Sequence, residues 1–421
     1  MSVSRKIFLI ALSFALPIAV LVYLTVINTN SSITFAEWEL KGDSYQRPLE
    51  ALLHEVQAAQ IVYNTSATTP VANNASKIHA AFVDLEEVNQ RLGMDLQFTD
   101  EGLAKRHREH QRVATVHQEW QELSAQISRP GTRSLSAELN PKFEHLIADL
   151  RTMITHMGDT SNLILDPDLD SYYLMDVTLL ALPQTQDRLG QAIQYGYGAL
   201  RRGAITEEEK IQLAVYAAML QEADVDRVTG SSQTSVNEDA GFYRISPTLQ
   251  SNLPPGLKKY QEANAPFVEM LRDMVKHGAA GVTPEAYLRS GLLAREASFS
   301  YWNAAVQEED ALLNARIAYF AHRRAVSLLL ALLALLALLA AGVLAYFLTR
   351  SITRPLFGLV GSLGPGATLL GVCVERISEA SKNKFADAHE SALICQELDA
   401  NCDSMRKAVA ELETQVKGAR R

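Results

Sequence analysis

Four aspartates lie close together around one proline in the middle of the sequence, in the stretch SNLILDPDLDSYYLMD at 161–176. They are Asp166, Asp168, Asp170 and Asp176. Carboxylates at such spacing hold calcium, carry out acid–base chemistry, or begin a helix. The surrounding elements decide which of these applies.

The residues at the positions that a calcium-binding loop requires do not match, and the pattern favours a helix start. A calcium loop beginning at Asp166 would need glycine sixth and glutamate twelfth, where the chain has Ser171 and Val177. A helix start accounts for the pattern, because Asp166 would cap, Pro167 would take the first helical position, and Asp168 would lie in the positive first turn. The new helix would then place four residues on one face, Leu169, Tyr172, Tyr173 and Asp176.

No enzymatic motif accompanies these carboxylates. The sequence contains no P-loop, serine-hydrolase signature, HExxH or Cys-x-x-Cys motif. His107, His110 and His117 would share one side of a predicted helix, but His117 would lie too far along it to join the other two at a metal. We therefore expect no catalytic residue, no cofactor and no metal, and an exposed polar face at these histidines.

Two apolar stretches determine the class of protein. The chain has 421 residues, of which 48% are hydrophobic, and a formal net charge of −9, which indicates neither a nucleic-acid binder nor a disordered protein. Residues 7–27 and 325–347 each exceed 20 residues without a charge, enough for a helix to cross a membrane. Because no A-x-A cleavage site follows the first stretch, we predict that both are retained transmembrane helices.

Charges and cysteines predict the orientation. Arg5 and Lys6 precede the first stretch, while Arg350 and Arg354 follow the second. This places residues 1–6 and the C-terminal part in the cytoplasm and exports residues 28–324. The cysteines all follow the second stretch, where a reducing compartment keeps them as thiols: Cys373, Cys395 and Cys402.

The exported segment 28–324 is expected to be all-α. Apolar periodicity and helix breakers predict helices over 75–92, 101–128, 135–164, 168–201, 206–229, 257–277 and 284–324. Residues 230–256 are predicted to be a long irregular connection. The length exceeds one four-helix bundle, so we predict two stacked helical modules that share long helices, the last running unbroken into the second apolar stretch.

Two further regions are predicted after that stretch. Residues 348–366 resemble the entry of a HAMP linker at Arg354-Pro355-Leu356, and Gly364-Pro365-Gly366 predicts a turn. Residues 367–421 fit a heptad coiled coil whose seams run from Leu370 to Leu412 and from Val374 to Val416. A single helix cannot bury such seams, so we expect a homodimer.

Four stretches together resemble a known family. They are ITFAEWELKGDSYQRPLEALL, SNLILDPDLDSYYLMD, YWNAAVQEEDALLNARI and SITRPL. With the span–helices–span order, they are similar to the sensor half of methyl-accepting chemotaxis proteins. The resemblance implies a receptor in the bacterial inner membrane, with a periplasmic sensor for an unidentified small molecule. No nucleic acid is implied.

The C-terminal region departs from that family. The chain stops at Arg421, before the hairpin that binds the kinase, which leaves open a short receptor, a fragment, or a partner of full-length receptors. The alternative functions are the input half of a histidine kinase or diguanylate cyclase that has lost its catalytic domain, and a membrane adaptor. His389 lacks the Arg-Pro continuation of a phospho-accepting histidine, so kinase activity is not expected.

Candidate site residues follow from residue type and from the resemblance. Arginines and aromatics on helix faces are candidates for ligand contacts: Arg151, Tyr172, Tyr173, Arg188, Tyr301 and Trp302. The resemblance adds Gln396 and Glu397 as candidates for methylation.

Overall fold

The computed structural model describes residues 3–65, 72–129, 136–348, 350–351, 354–382 and 388–418. Across these ranges the chain is helical and has no strand, which confirms the all-α class. The α-helices are α1 (Val3–Thr65), α2 (Ala72–Leu92), α3 (Asp100–Ala104), α4 (Val113–Ile127), α5 (Ser136–Thr160), α6 (Leu169–Met175), α7 (Leu182–Arg202), α8 (Glu207–Ala218), α9 (Asp226–Glu238), α10 (Pro247–His277), α11 (Pro284–Leu348), α12 (Arg354–Lys382) and α13 (Ala388–Gly418).

Residues 27–324 form one compact unit, and residues 1–26 with 325–421 form another. Within residues 27–324, α1, α2, α4 and α5 enclose one apolar core and make the first bundle. The second bundle consists of α6–α7, α8–α9, α10 and α11. Two π-helical segments, Asp176–Ala181 and Met219–Val225, join α6 to α7 and α8 to α9. A π segment leaves the regular hydrogen-bond pattern and exposes carbonyls to other partners.

The two bundles lie side by side, because α1 of the first pairs with α11 of the second over residues 39–57 and 295–316. The helices are antiparallel: Glu39 meets Arg316 and, further along, the ring of His54 lies 4.4 Å from that of Phe299. Gln57 then accepts a hydrogen bond from Arg295 at 3.4 Å. The expected two modules are present, but lateral packing replaces the predicted stacking, since α1 uses one face for each bundle.

Those two faces of α1 follow the same heptad spacing with opposite chemistry. The face toward the first core, here called the apolar seam, consists of Tyr45, Leu49, Leu52, Val56, Ala59 and Tyr63, all buried. The other face, here called the polar seam, consists of Glu39, Asp43, Gln46, Glu50, Leu53, Gln57, Gln60 and Asn64. Its members from Glu39 to Gln60 are buried as completely as the apolar ones. Leu53 is its one apolar residue.

The predicted helix over 101–128 is interrupted. α3 ends at Ala104, and α4 begins at Val113 after a 3₁₀ turn at Glu109–Gln111. His107 lies between them with φ of 55°, a left-handed conformation that ends a helix. The three histidines therefore do not share one helix as predicted.

The predicted irregular segment 230–256 is mostly helical. α9 continues to Glu238, and α10 begins at Pro247, where Ser246 Oγ caps it by accepting from the backbone N–H of Leu249 at 3.3 Å. α10 contains Pro254 and Pro255 in its interior. Its apolar side chains Leu249, Leu253 and Leu257 are buried at four-residue spacing. Their burial outweighs the prolines, each of which costs about 3 kcal/mol in a helix interior.

The two long helices contain the apolar stretches. α11 runs from Pro284 to Leu348 without a break, as predicted, and Thr283 Oγ1 caps its start by accepting from the Ala286 N–H at 3.2 Å. Within the described residues, α1 and α11 are the helices long and apolar enough to cross a membrane, with mean hydropathies of 1.9 and 2.9 in their most apolar 18-residue windows.

The C-terminal helices differ from the predicted continuous coil. α12 begins at Arg354 and passes through Gly364-Pro365-Gly366 as a helix, so the predicted turn there is wrong. α12 and α13 lie antiparallel, with Arg376 Nη1 3.3 Å from Glu397 Oε2 and Asn401 Nδ2 3.6 Å from Cys373 Sγ. The heptad pattern is therefore distributed over two helices that contact each other.

Candidate functional site

The strongest concentration of buried charge surrounds Arg316 of α11, which is 3% exposed. Its Nη1 donates to Glu39 Oε2 of the polar seam at 2.7 Å. Its Nη2 donates to Asp166 Oδ1 at 2.5 Å and to Ser171 Oγ at 2.6 Å. Its Nε lies 2.5 Å from Asp168 Oδ2. These five residues are called the Arg316 cluster below, and they join α1, the start of α6, and α11.

The aspartates that resembled a helix start therefore serve a different purpose. α6 begins at Leu169, and Asp168, not Asp166, occupies the N-cap position without making a side-chain cap. Asp168 Oδ2 instead accepts from Tyr243 Oη at 2.6 Å, and Asp166 Oδ1 accepts from the Asp168 N–H at 2.9 Å. The prediction of capping was wrong because the buried guanidinium binds these carboxylates more strongly than the helix terminus does.

The face predicted for α6 points outward. Leu169 is 45% exposed and Tyr172 37% exposed, while Asp170 and Ser171 are buried. Asp176 accepts from Arg227 Nη2 at 2.5 Å and from Ser231 Oγ at 2.7 Å, which ties α6 to α9.

The charges of the Arg316 cluster do not balance. One guanidinium faces three carboxyl groups in a buried site, so at least one of them retains a proton at neutral pH. Burial, reinforced by the charge of Asp166, raises the pKa of Glu39 to about 9, and Arg316 opposes that shift. Burial likewise raises the pKa of the neighbouring Asp170 to about 6.

Next along the polar seam, the backbone carbonyl oxygen of Thr178, in the π-helical segment Asp176–Ala181, contacts both α1 and α11. It accepts from Gln46 Nε2 of the polar seam at 2.8 Å and from Trp302 Nε1 of α11 at 2.9 Å. The Thr178 hydroxyl donates to Glu309 Oε2 at 2.7 Å. A π segment frees such a carbonyl, so its irregularity lets one backbone group hold α1 and α11 together.

Acidic groups without hydrogen-bond partners continue along the polar seam. Both carboxyl oxygens of Asp43 and of Glu50 are buried and unpartnered within the described residues. Burial, with the charge of Glu309 nearby, raises the pKa of Asp43 well above its usual range. Burial raises the pKa of Glu50 to about 8, with Gln186 and Arg295 opposing it. These carboxyls lie between the bundles, where burial favours their neutral form.

At the other end of the seam the bundles enclose a recess of about 550 Å³ between α1, α5, α7 and α8. Amide side chains line much of it: Gln57, Gln60, Asn64, Asn140, Gln191 and Gln194. Tyr195, Tyr197 and Tyr216 complete the wall. Because amides and phenols both donate and accept hydrogen bonds, this lining suits a small polar molecule.

The six predicted ligand contacts are dispersed. Arg151 is nearest the recess, where its Nη1 pairs with the lining residue Asp187 at 2.5 Å. Arg188 pairs with buried Asp224, and Tyr172 packs edge-on against Tyr173 near the surface.

The remaining two predicted contacts belong to the second core. Tyr301 Oη donates to Ser232 Oγ at 2.6 Å, and its ring edge also lines an open groove of about 890 Å³ between α10 and α11. Trp302 is 1% exposed and is bound to Thr178. The structure does not bring the six residues together into one site.

The methylation candidates lie on α13. Gln396 and Glu397 are exposed there, and Glu397 pairs with Arg376.

Comparisons with known proteins identify no family. No family model matches the sequence, and no curated protein matches it. Among solved structures the chain is similar to the NasR transcription antiterminator, with 16% identity, 91% of this chain and 95% of that chain covered, and a TM-score of 0.40. That similarity is too low to establish a shared fold or function.

Glu39, Glu309 and Arg316 were not singled out in the sequence, although a signal for them exists. Arg295, Trp302, Glu309 and Arg316 recur every seven residues on α11 and are all buried. Polar residues at heptad spacing on two long helices predict a buried polar interface between them. Three of the stretches that carry the family resemblance contain these residues or their partners.

Proposed function

We propose that the chain is a transmembrane sensory receptor of the chemotaxis type. In this proposal residues 28–324 sense an extracytoplasmic signal, 7–27 and 325–347 cross the bacterial inner membrane, and 367–421 lie in the cytoplasm. One observation carries the proposal: α1 and α11 each continue from a long apolar stretch into an antiparallel pair held by the Arg316 cluster.

That arrangement suits a relay. Arg316 lies nine residues before Ala325 on the same helix, and Glu39 lies twelve residues after Ile27 on α1. A change in the register of the two helices would reach the apolar stretches without crossing a hinge. Ion pairs and hydrogen bonds have discrete alternative partners, which favours two defined states over a gradual deformation.

The polar recess is the proposed ligand chamber. It lies against the same α1 face as the Arg316 cluster, about 30 Å away at 1.5 Å per residue between residues 39 and 60. A ligand bound by Gln60 and Asn64 would act on α1 directly. The recess suits small polar molecules that its amides and phenols can hydrogen-bond, and Glu144 and Asp187 in its wall favour one that carries a positive group.

Exposed apolar side chains on α12 and α13, such as Val374 and Val409, support the proposed homodimer, in which a second copy or a full-length receptor would cover them.

Orientation is tested by cysteine labelling in intact cells. Cys373, Cys395 and Cys402 are replaced by serine, and Met94, 80% exposed, is changed to cysteine. A membrane-impermeant maleimide should label Met94→Cys in intact cells. A matched chain that retains only exposed Cys395 should be labelled only after permeabilisation. Labelling of Cys395 from outside, or of position 94 only from inside, would contradict the proposal.

Signalling is tested with a hybrid in which residues 1–351 precede the kinase-controlling part of a known chemoreceptor. At least one amino acid, organic acid or aromatic compound should change kinase activity in membranes. Arg316→Lys, which keeps the charge but loses the forked geometry, should reduce that response. Arg272→Gln, in an exposed pair with Glu269, is the control and should respond like the parent. A hybrid that is inserted correctly but responds to no compound would favour a membrane adaptor, detected by co-purification with full-length receptors.

A further inference from the structure

A second cluster of chemically reactive side chains lies away from the polar seam, on the outer side of the first bundle. Glu119 of α4 and His145 and Asp149 of α5 each present one ligand atom, and these three atoms lie within 4.8 Å of one another. In the described part of the chain, no other group of three or more histidine, cysteine or acidic residues meets that distance.

The distances match those of metal ligands. His145 Nε2 is 3.4 Å from Asp149 Oδ2 and 4.0 Å from Glu119 Oε1. Two ligands of a tetrahedral zinc ion, each about 2.0–2.2 Å from the metal, lie roughly 3.3–3.5 Å apart. Glu119 lies farther out, since the three ligand atoms are within 4.8 Å of one another, and a side-chain movement of about 1 Å would complete the geometry.

Two buried oxygens in the cluster lack donors. Asp149 Oδ2 and Glu119 Oε2 are both shielded from water, and neither accepts a hydrogen bond from the described residues. The Asp149 side chain is 7% exposed. An unsatisfied buried carboxylate oxygen is costly, and a cation in front of it removes that cost.

Further groups suit a metal. Gln111 Nε2 donates to the other oxygen of Asp149, Oδ1, at 2.6 Å, which orients Oδ2 toward His145 in the way that outer partners orient metal ligands. The ring centroid of His110 is 6.4 Å from that of His145. Two imidazoles on one metal have centroids about 5–6 Å apart, so a movement of the exposed His110 ring by about 1 Å would let it become a fourth ligand.

We propose that Glu119, His145 and Asp149, joined by His110, bind one divalent transition-metal ion of the zinc class. Mixed imidazole and carboxylate ligands suit zinc and its first-row neighbours, whereas calcium and magnesium prefer oxygen alone. The metal connects the 3₁₀ turn at Glu109–Gln111 to α4 and α5 and stabilises the first bundle. This replaces the expectation from sequence that the chain has no metal site, and it is independent of the proposed receptor function.

Zinc titration of the purified full chain in detergent tests the proposal. The chain has no polyhistidine tag, is treated with a chelator, and has Cys373, Cys395 and Cys402 replaced by serine, since thiolates also bind zinc. Bound metal is measured by equilibrium dialysis with elemental analysis. We expect one saturable zinc per chain that excess magnesium does not displace, and a rise in melting temperature with zinc.

Variants locate the bound ion. His145→Ala should weaken zinc binding at least 10-fold and remove the thermal shift; because His145 is exposed, the fold persists, which circular dichroism verifies. Glu119→Gln should act similarly, and Gln111→Leu should weaken binding about 10-fold. The matched control is His277→Ala. His277 Nδ1 lies 4.0 Å from Asp273 Oδ1 in an exposed pair, and the described residues place no third ligand beside them. That variant should bind zinc like the parent.

Cobalt provides a direct view of the site, because ligation of Co²⁺ by His145 in a four-coordinate site produces visible absorption bands. The bands should appear in the parent and disappear in His145→Ala. Equal zinc affinity in the parent and His145→Ala would overturn the proposal and leave a histidine–carboxylate ion pair. An equal loss in His277→Ala would also overturn it.

Discussion

The two seams of α1 have the same heptad spacing and nearly the same burial, but they form different kinds of contact. The apolar seam packs into the first core, where contacts are non-directional and depend on filled volume. The polar seam meets the second bundle through an ion pair, hydrogen bonds of its amides and buried carboxyls. Removing a residue from the first leaves a cavity, whereas removing a partner from the second leaves an uncompensated buried charge. The first seam therefore holds a bundle together, and the second makes the junction between bundles specific and sensitive to protons.

Among the variants that test this contrast, Arg316→Leu should lose the most stability. It leaves buried Glu39 and Asp166 and half-buried Asp168 without their cation, and breaking a buried charge network in this way costs about 3–5 kcal/mol. Denaturation of the full chain in detergent, followed by circular dichroism, measures the loss. Arg272→Leu, at an exposed pair, should cost below about 1 kcal/mol. Equal losses in the two variants would mean that the cluster contributes no more than a surface pair.

Leu52→Ala in the apolar seam should cost about 3 kcal/mol, because Leu52 is fully buried and its neighbours cannot close the cavity. The loss should be the same at pH 5 and pH 8, since no titratable group is involved. A loss that changed strongly with pH would show that the two seams are not independent.

Glu50→Gln should stabilise the protein at alkaline pH. The pKa of Glu50 is raised from 4.5 to about 8 in the folded protein, so between these values the folded carboxyl keeps a proton that the unfolded chain has lost. Stability from this group is therefore full below about pH 4.5 and falls as pH rises toward 8. The glutamine removes that fall, so the variant should gain up to about 4 kcal/mol at pH 8 and less than about 1 kcal/mol at pH 5. Parallel pH profiles for the variant and the parent would contradict this.

Gln60→Leu should have the smallest effect on stability. Gln60 Oε1 accepts a hydrogen bond from Gln194 Nε2 at 3.1 Å, and Gln194 Nε2 also donates to the Gly190 carbonyl. Gln194 therefore keeps one partner in the variant, and the substitution costs about 1 kcal/mol or less. The change should matter more for binding, because it removes an amide from the proposed ligand chamber. Any compound that activates the hybrid receptor should lose potency in this variant, and unchanged potency would place the ligand elsewhere.

The sequence predicted where the helices lie more accurately than where they are interrupted. The predicted helix over 284–324 begins where α11 does, since a cap residue such as Thr283 and a first-turn proline such as Pro284 act locally. The break near His107 and the helical start of α10 at Pro247 were not predicted, because burial of distant side chains decides them. Prolines 254 and 255 indicated an irregular segment, yet three buried leucines keep it helical.

The residues of the candidate site likewise divide into those that the sequence indicated and those that it did not. Asp166 and Asp168 were recognised as unusual from their spacing alone. Their partner Arg316 lies about 150 residues further along the chain, a separation that local pattern does not connect.

The sequence by itself determined that the protein is all-α, with two long apolar helices, because apolar period, length and the absence of charge are local properties of the chain. It also contained both seams of α1 as readable heptads. Only the tertiary structure decided that the polar seam is buried, which carboxylates share Arg316, and that Glu119, His145 and Asp149 converge. Each of these depends on the packing of helices far apart in the chain, where the desolvation of a charge and the position of its partner are set together.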